Sequence, residues 1–174
     1  MKSFLLLIFT AVLMVSCGGG ANEASTAGEQ TASETPSTET QETAEPQAAE
    51  SELVQLVINS DDMMQFDRDE LKVKEGSKVE LTLNHTGKMA KEAMGHNVVI
   101  LKLGTDLTSF AERAIAAVDT DYIPEGDEVL VHTKMLGGGE SDTVTFDAPA
   151  KGTYDFICSF PGHYALMKGK FIVE

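Results

Sequence analysis

The sequence predicts an all-β domain of about eight short strands, an antiparallel sandwich or barrel, preceded by residues that belong to no fold. Three observations carry this. The last ~120 of the 174 residues hold a series of short apolar or alternating runs. Gly, Pro, Asn or Asp punctuates nearly every gap between them. The first 52 residues have a different composition altogether.

Each element follows from its local pattern. "LVQLVIN" (53–59) is a β-rich run, and "ELKV" (70–73) a shorter one. "SKVELTLN" (77–84) alternates, placing Val79, Leu81 and Leu83 on one face. "NVVILKL" (97–103) is continuously apolar, as in a core strand. "EVLVHT" (128–133), "DTVTFDA" (142–148), "TYDFIC" (153–158) and "GKFIVE" (169–174) complete the series. One segment departs from it. "SFAERAIAAV" (109–118) has Ser109 with Glu112 three residues on, a capping-box signature. Phe110, Ala114, Ala117 and Val118 share a helical face, which predicts a single inserted helix packed on the sandwich or its edge. Gly137-Gly138-Gly139 lacks a following Lys-Ser/Thr and reads as a turn rather than a phosphate loop.

The N-terminus reads as targeting sequence. Lys2 precedes "FLLLIFTAVLMV" (4–15), an apolar stretch too short to span a bilayer. It ends in Val15-Ser16-Cys17, which resembles the bacterial lipobox, with Met14 where Leu is usual. The expectation is a lipoprotein signal over 1–17 with Cys17 lipidated, rather than a plain secretory signal. Either way, the mature chain is expected outside the cytoplasm. From 18 to 52 there is no Lys, Arg or aromatic residue, and Glu occurs eight times. Such a segment buries too little apolar surface to offset chain entropy, so a disordered acidic linker is expected, spanning roughly 30–35 Å as a coil. The compact domain is expected over 53–174. A net charge of −15, from 13 Lys and Arg against 28 Asp and Glu, argues against nucleic-acid binding and suits a soluble monomer.

The chemistry concentrates in "CSFPGHYALMKG" (158–169). If Cys17 is acylated, Cys158 has no disulfide partner, leaving a reactive thiol or a metal thiolate. Cys158, His163 and Met167 lie between two predicted strands, with Pro161 and Gly162 supplying a sharp turn. Thiolate and thioether favour Cu(I), imidazole suits Cu(II), and a site of two His, one Cys and a weak Met accommodates both. Of the four histidines, His96 in "AMGHNVVIL" leads into the most apolar strand and is the best second imidazole. Gly95 leaves its carbonyl free to approach a metal.

"AMGHN" and "CSFPGHYALMKG" resemble the two copper-binding segments of the azurins, blue-copper proteins of the cupredoxin family. "MMQFD" (63–67), "HTGKMAKEAMGHN" (85–97) and "DYIPEGDEVLVHTKMLGGGESDTVTFD" (121–147) are similar to azurin in order and spacing, so the likeness covers essentially all of 53–174. It implies a cupredoxin-like Greek-key β-sandwich holding one copper. His96, Cys158 and His163 would be strong equatorial ligands, Met167 the weak axial ligand, and the Gly95 carbonyl a weak contact opposite. Asn97 would link the ligand loops, and both it and the Phe160 backbone N–H would hydrogen-bond the ligand sulfur. His85 would be a buried non-ligand histidine rather than a pH sensor, and His132 a wall residue. The departures are a missing disulfide at Val54 and Ser77, Val98 where a buried tryptophan is frequent, and Tyr164 in place of a small residue.

The implied function is one-electron transfer, not catalysis. Electrons would leave through His163, inside a docking rim of Met64, Ala93, Met94, Pro161, Gly162, Tyr164 and Ala165. The partners would be c-type cytochromes or membrane redox complexes, respiratory or photosynthetic, reached from a lipid anchor in a membrane facing the periplasm. The absence of Asp after Cys17 leans toward the outer membrane. Two other readings compete: a periplasmic copper buffer or chaperone, and a Cys158–His163 nucleophile–base enzyme, which leaves Met167 and His96 without a role. Met63, Met64, Met89, Met94 and Met135 are scattered in sequence, which favours core filling and an apolar patch over a copper-trafficking surface.

Overall fold

The computed structural model describes residues 52–174. The expected signal segment, Cys17 and the acidic linker lie outside the described residues.

Among the described residues, eight strands form two sheets, as expected for a sandwich. β1 (Leu53–Ser60), β3 (Lys78–His85) and β6 (Ser141–Asp147) form a three-stranded sheet in the order β1-β3-β6. β2 (Glu70–Val73), β8 (Lys168–Val173), β7 (Gly152–Ile157), β4 (Val99–Leu101) and β5 (Val129–His132) form a five-stranded sheet in that order. The expectation of an antiparallel sandwich needs one correction. β1 pairs with β3, and β2 with β8, in parallel. The cause is topological: the chain leaves β1, crosses to the other sheet as β2 and returns as β3, so β1 and β3 run the same way.

Alternation decides which side chains enter the core. In β3, Val79, Leu81, Leu83 and His85 are buried while their neighbours are not. They face Ile58, Leu71, Ile100, Phe156 and Phe171 from five other strands, giving one cluster between the sheets. Val98, at the position of the expected tryptophan, is fully buried in it, and Val54 packs against its margin. No bridge joins Val54 to Ser77. Instead β1 and β3 pair in register from Leu53–Lys78 to Ser60–His85, and the Ser77 carbonyl accepts from Ala148 N–H at 2.8 Å.

β4 is shorter than expected from 97–103. Val98 N–H is taken by the Thr133 hydroxyl at 2.9 Å, and the register shifts between Ile100 and Leu101. β4 is buried on both faces. Ile100 enters the intersheet core, and Val99 and Leu101 enter a second cluster with Phe110 and Ala111.

That second cluster is the footprint of the expected helix, which runs Leu107–Ala114 rather than 109–118. Its cap is Asp106, whose carboxylate accepts from Ser109 N–H at 2.7 Å. Asp106 outcompetes Ser109 because a carboxylate accepts more strongly and favours the positive end of the helix. Phe110, Ala111 and Ala114 face inward. Val118 is 59% exposed, because the chain has turned into a 3-10 turn (Val118–Thr120) by then. A one-turn helix α1 (Lys91–Met94) precedes the helix just described, hereafter α2.

Candidate metal centre

Two chain segments build the centre at one end of the sandwich. The first carries Gly95, His96 and Asn97 between α1 and β4. His96 is pinned by two backbone bonds to Leu136, 3.0 Å outward from its N–H and 2.8 Å inward to its carbonyl. Gly95 is required here, for a packing reason. A Cβ would lie 2.6 Å from the Lys91 carbonyl and 2.9 Å from the Met135 sulfur.

The second segment is the loop from β7 to β8. Cys158 N–H donates to the Met167 carbonyl at 2.9 Å, and Met167 N–H to the His163 carbonyl at 2.8 Å. These bonds close the loop on itself. Gly162 turns it with φ +83, a left-handed conformation that Gly adopts freely, and a 3-10 turn (His163–Ala165) follows.

The two segments bring three ligand atoms together. His163 Nδ1 lies 3.6 Å from the Cys158 sulfur and 3.2 Å from His96 Nδ1, and His96 Nδ1 lies 3.9 Å from the sulfur. All three fall within 4.8 Å of one another. The Gly95 carbonyl is 3.8 Å from the sulfur. His96, Cys158 and Met167 are fully buried and His163 is 3% exposed.

The surroundings prepare each group. His96 Nε2 faces the Asp61 carbonyl at 2.8 Å; a carbonyl only accepts, so Nε2 carries the proton and Nδ1 presents its lone pair to the centre. Burial pushes the Cys158 thiol up to about 12, against the pull of Asn97 and Phe160 backbone N–H groups on its sulfur. Burial presses His163 down to about 4, assisted by His96 and His85, and lowers His96 as well. Both imidazoles are therefore neutral at pH 7, and an unmetallated thiol keeps its proton. Two neutral imidazoles and one thiol, with two N–H groups aimed at the sulfur, fit copper's donor preferences.

Asn97 ties the two segments together. Its Oδ1 accepts from Ser159 N–H at 2.9 Å, and its Nδ2 donates to Ser159 Oγ at 2.8 Å. Phe160 packs against His163, ring centroids 4.6 Å apart, and Tyr122 meets Phe160 edge-on at 5.2 Å. His85 is buried beside the centre with its ring 4.4 Å from His96. It accepts from Gly87 N–H at 3.1 Å and donates to the Met94 carbonyl at 2.9 Å. His132 is exposed on β5.

Around this end lie the residues expected at the rim. Ala93, Gly162 and Ala165 are exposed, and Met64, Met94, Pro161 and Tyr164 are partly so. Tyr164 also packs on the cluster beneath α2, which gives it a structural part. Sequence reasoning missed four participants: Leu166, 67% exposed in the ligand loop, and Asp61, Ser159 and Thr133, which act through backbone groups or short hydroxyls. Leu166 was legible as an apolar residue inside the motif; the other three carried no local signal. The five scattered methionines divide between core and surface: Met135 is buried, whereas Met63 is 70% and Met89 41% exposed.

Comparison with known proteins agrees with this geometry. Residues 53–174 match the family model for copper binding proteins of the plastocyanin/azurin family. The chain is 47% identical to outer membrane protein H.8 of Neisseria gonorrhoeae, over 98% of this chain and 97% of that protein. It is 49% identical to azurin of Bordetella pertussis, over 62% of this chain and 75% of that one. The crystal structure of dithionite-reduced auracyanin from Roseiflexus castenholzii superposes with a TM-score of 0.63 at 38% identity, covering 69% of this chain and 96% of that one. The chain belongs to the plastocyanin/azurin family of copper-binding proteins, as an azurin-like blue-copper electron carrier.

Proposed function

We propose that this protein carries single electrons at the periplasmic face of a bacterial membrane on a copper ion that His96, Cys158 and His163 would hold. The Met167 thioether would hold it more weakly, and the Gly95 carbonyl would make a further weak contact. When bound, copper supplies a one-electron Cu(I)/Cu(II) couple. The chain's own groups do the rest. The Asp61 carbonyl fixes the tautomer and orientation of His96. Asn97 holds Ser159, and so the Cys158 and Phe160 backbone, in one position. The N–H groups of Asn97 and Phe160 withdraw density from the sulfur and raise the potential.

The observation that carries this reading is the convergence of two imidazole nitrogens and one thiol in a site no more than 3% exposed. A substrate would need an open coordination position; an electron needs only a short route through His163. Met64, Ala93, Met94, Pro161, Gly162, Tyr164, Ala165 and the newly found Leu166 make a small rim suited to brief encounters with c-type cytochromes or membrane redox complexes. Lipidation of Cys17 would tether the domain through the 18–52 segment. The likeness to a protein named for the outer membrane, which extends over 98% of this chain, supports that location.

Stopped-flow mixing with a reduced c-type cytochrome tests the reading. The copper(II) protein should be reduced rapidly and keep its copper over many cycles. A protein that stays oxidised but surrenders copper to an apo-acceptor would instead be a buffer or chaperone.

A further inference from the structure

The four proposed ligands are buried, so copper reaches them only through the surrounding loops. Two of those loops carry exposed methionines that burial does not explain. Met63 is 70% exposed and Met89 is 41% exposed. At such exposure their side chains contribute little burial energy. They stand 26 residues apart in sequence but on loops that one side chain joins. The Asp62 carboxylate accepts from Lys88 N–H at 2.8 Å and from Met89 N–H at 3.2 Å. These bonds hold its pKa below the usual carboxylate range, so its charge stays beside both methionines. Gly87 makes room for it: a Cβ there would collide with the Asp62 carboxylate and come within 2.6 Å of the His85 ring.

The Met63 loop also reaches the centre. The Asp61 carbonyl holds His96 Nε2, and Met64 follows in a turn closed by its N–H on that carbonyl at 3.4 Å. Met64 adopts φ +57, unusual for a side chain without Asn or Asp character. Met63 and Met64 thus sit on the loop whose Asp61 carbonyl holds His96, and the Asp62 bonds tie the Met89 backbone to that loop.

We propose that Met63 and Met89, with Met64 beside them, form a surface capture site for Cu(I) that feeds the buried centre. Thioethers bind Cu(I) in preference to Cu(II), zinc or the alkaline-earth ions. Methionine's three rotatable bonds let exposed sulfurs close on an ion and release it. The Asp62 charge and the chain's net −15 raise the local cation concentration. Transfer inward exchanges thioether for thiolate and imidazole bonds, moves no electron, and releases the Cys158 proton to water. The proposal rests on the copper-centre reading above.

The test is a double variant, Met63→Leu with Met89→Leu, which keeps size and apolarity and removes sulfur. Cu(I), buffered by a competing chelator, is added to apo-protein. Loading is stopped at intervals, and the protein is oxidised and read by its blue absorbance. The variant should reach the wild-type end point at least tenfold more slowly. In a second arm, wild type with its centre already filled is titrated with buffered Cu(I), following methionine methyl resonances by NMR. Those of Met63 and Met89 should shift together with one further equivalent, and the variant should take up no further equivalent. Equal loading rates, or no shift in the filled wild type, overturns the capture site. A wild type that never turns blue overturns the copper centre instead.

Discussion

Replacing Asn97 by Ala isolates the bond between the two ligand segments. Asn97 is fully buried and Ser159 is 2% exposed. The substitution removes the acceptor for Ser159 N–H, at 2.9 Å, and the donor to Ser159 Oγ, at 2.8 Å. A buried donor left without a partner costs about 1–3 kcal/mol, and the second lost hydrogen bond adds about 1 kcal/mol. The expected loss in the apo-protein is therefore about 2–4 kcal/mol, read by urea unfolding with circular dichroism at an unchanged slope. The matched control is Gln55→Ala, which deletes an exposed 2.8 Å hydrogen bond to Glu80 and should cost under ~0.5 kcal/mol. In the copper-loaded protein, the loosened Ser159 lets the Phe160 N–H drift from the sulfur, so the reduction potential should fall. An Asn97→Ala loss no larger than that of Gln55→Ala would refute the bridging role.

Four further outcomes follow from the geometry. Asp106→Ala should cost about 1 kcal/mol of stability while Ser109→Ala is nearly neutral, since the Asp106 carboxylate caps α2; thermal unfolding of both checks the order. Gly169→Ala should cost about 1–3 kcal/mol by overpacking, because its Cβ would collide with the Asp69 carbonyl and the Phe156 ring; urea unfolding reads it. Copper binding must displace the Cys158 proton, held up to about 12, whereas His163, pressed to about 4, is neutral above pH 6. Apparent affinity should therefore rise about tenfold per pH unit between pH 6 and 8, with about one proton released per ion. The apo-protein has the opposite acid limit. Its buried neutral His163 loses stability as pH falls from the unfolded value of about 6.5 toward 4, because the unfolded chain binds that proton first. A competition titration against a chelator, repeated across pH, measures the affinity slope; a flat line contradicts it.

Elements with strong periodicity were legible. β3 alternates as its sequence does, and α2 was found from the Phe110 and Ala114 face. What the sequence hid were choices settled by tertiary competition. Asp106 took the cap from Ser109. The Thr133 hydroxyl claimed the first amide before β4. The crossing of β2 between sheets, which makes β1 and β3 parallel, has no local signature. The centre divided in the same way. Cys158, His163 and Met167 lie within one motif, and His96 stands out by its place before the apolar run. Asp61 acts through a carbonyl, a group every residue owns, so nothing in its side chain advertised it. The nearness of the Met63 and Met89 loops was hidden as well, because 26 residues separate in sequence two loops that the Asp62 carboxylate joins.

The central claim is that Cys158 and two histidines hold copper together. The visible spectrum of the copper(II)-loaded protein tests it most directly, because a thiolate bonded to copper(II) absorbs intensely. Wild type should be deep blue, and Cys158→Ser should retain copper without the colour. A copper-loaded wild type that is colourless, or a serine variant that stays blue, would contradict the account.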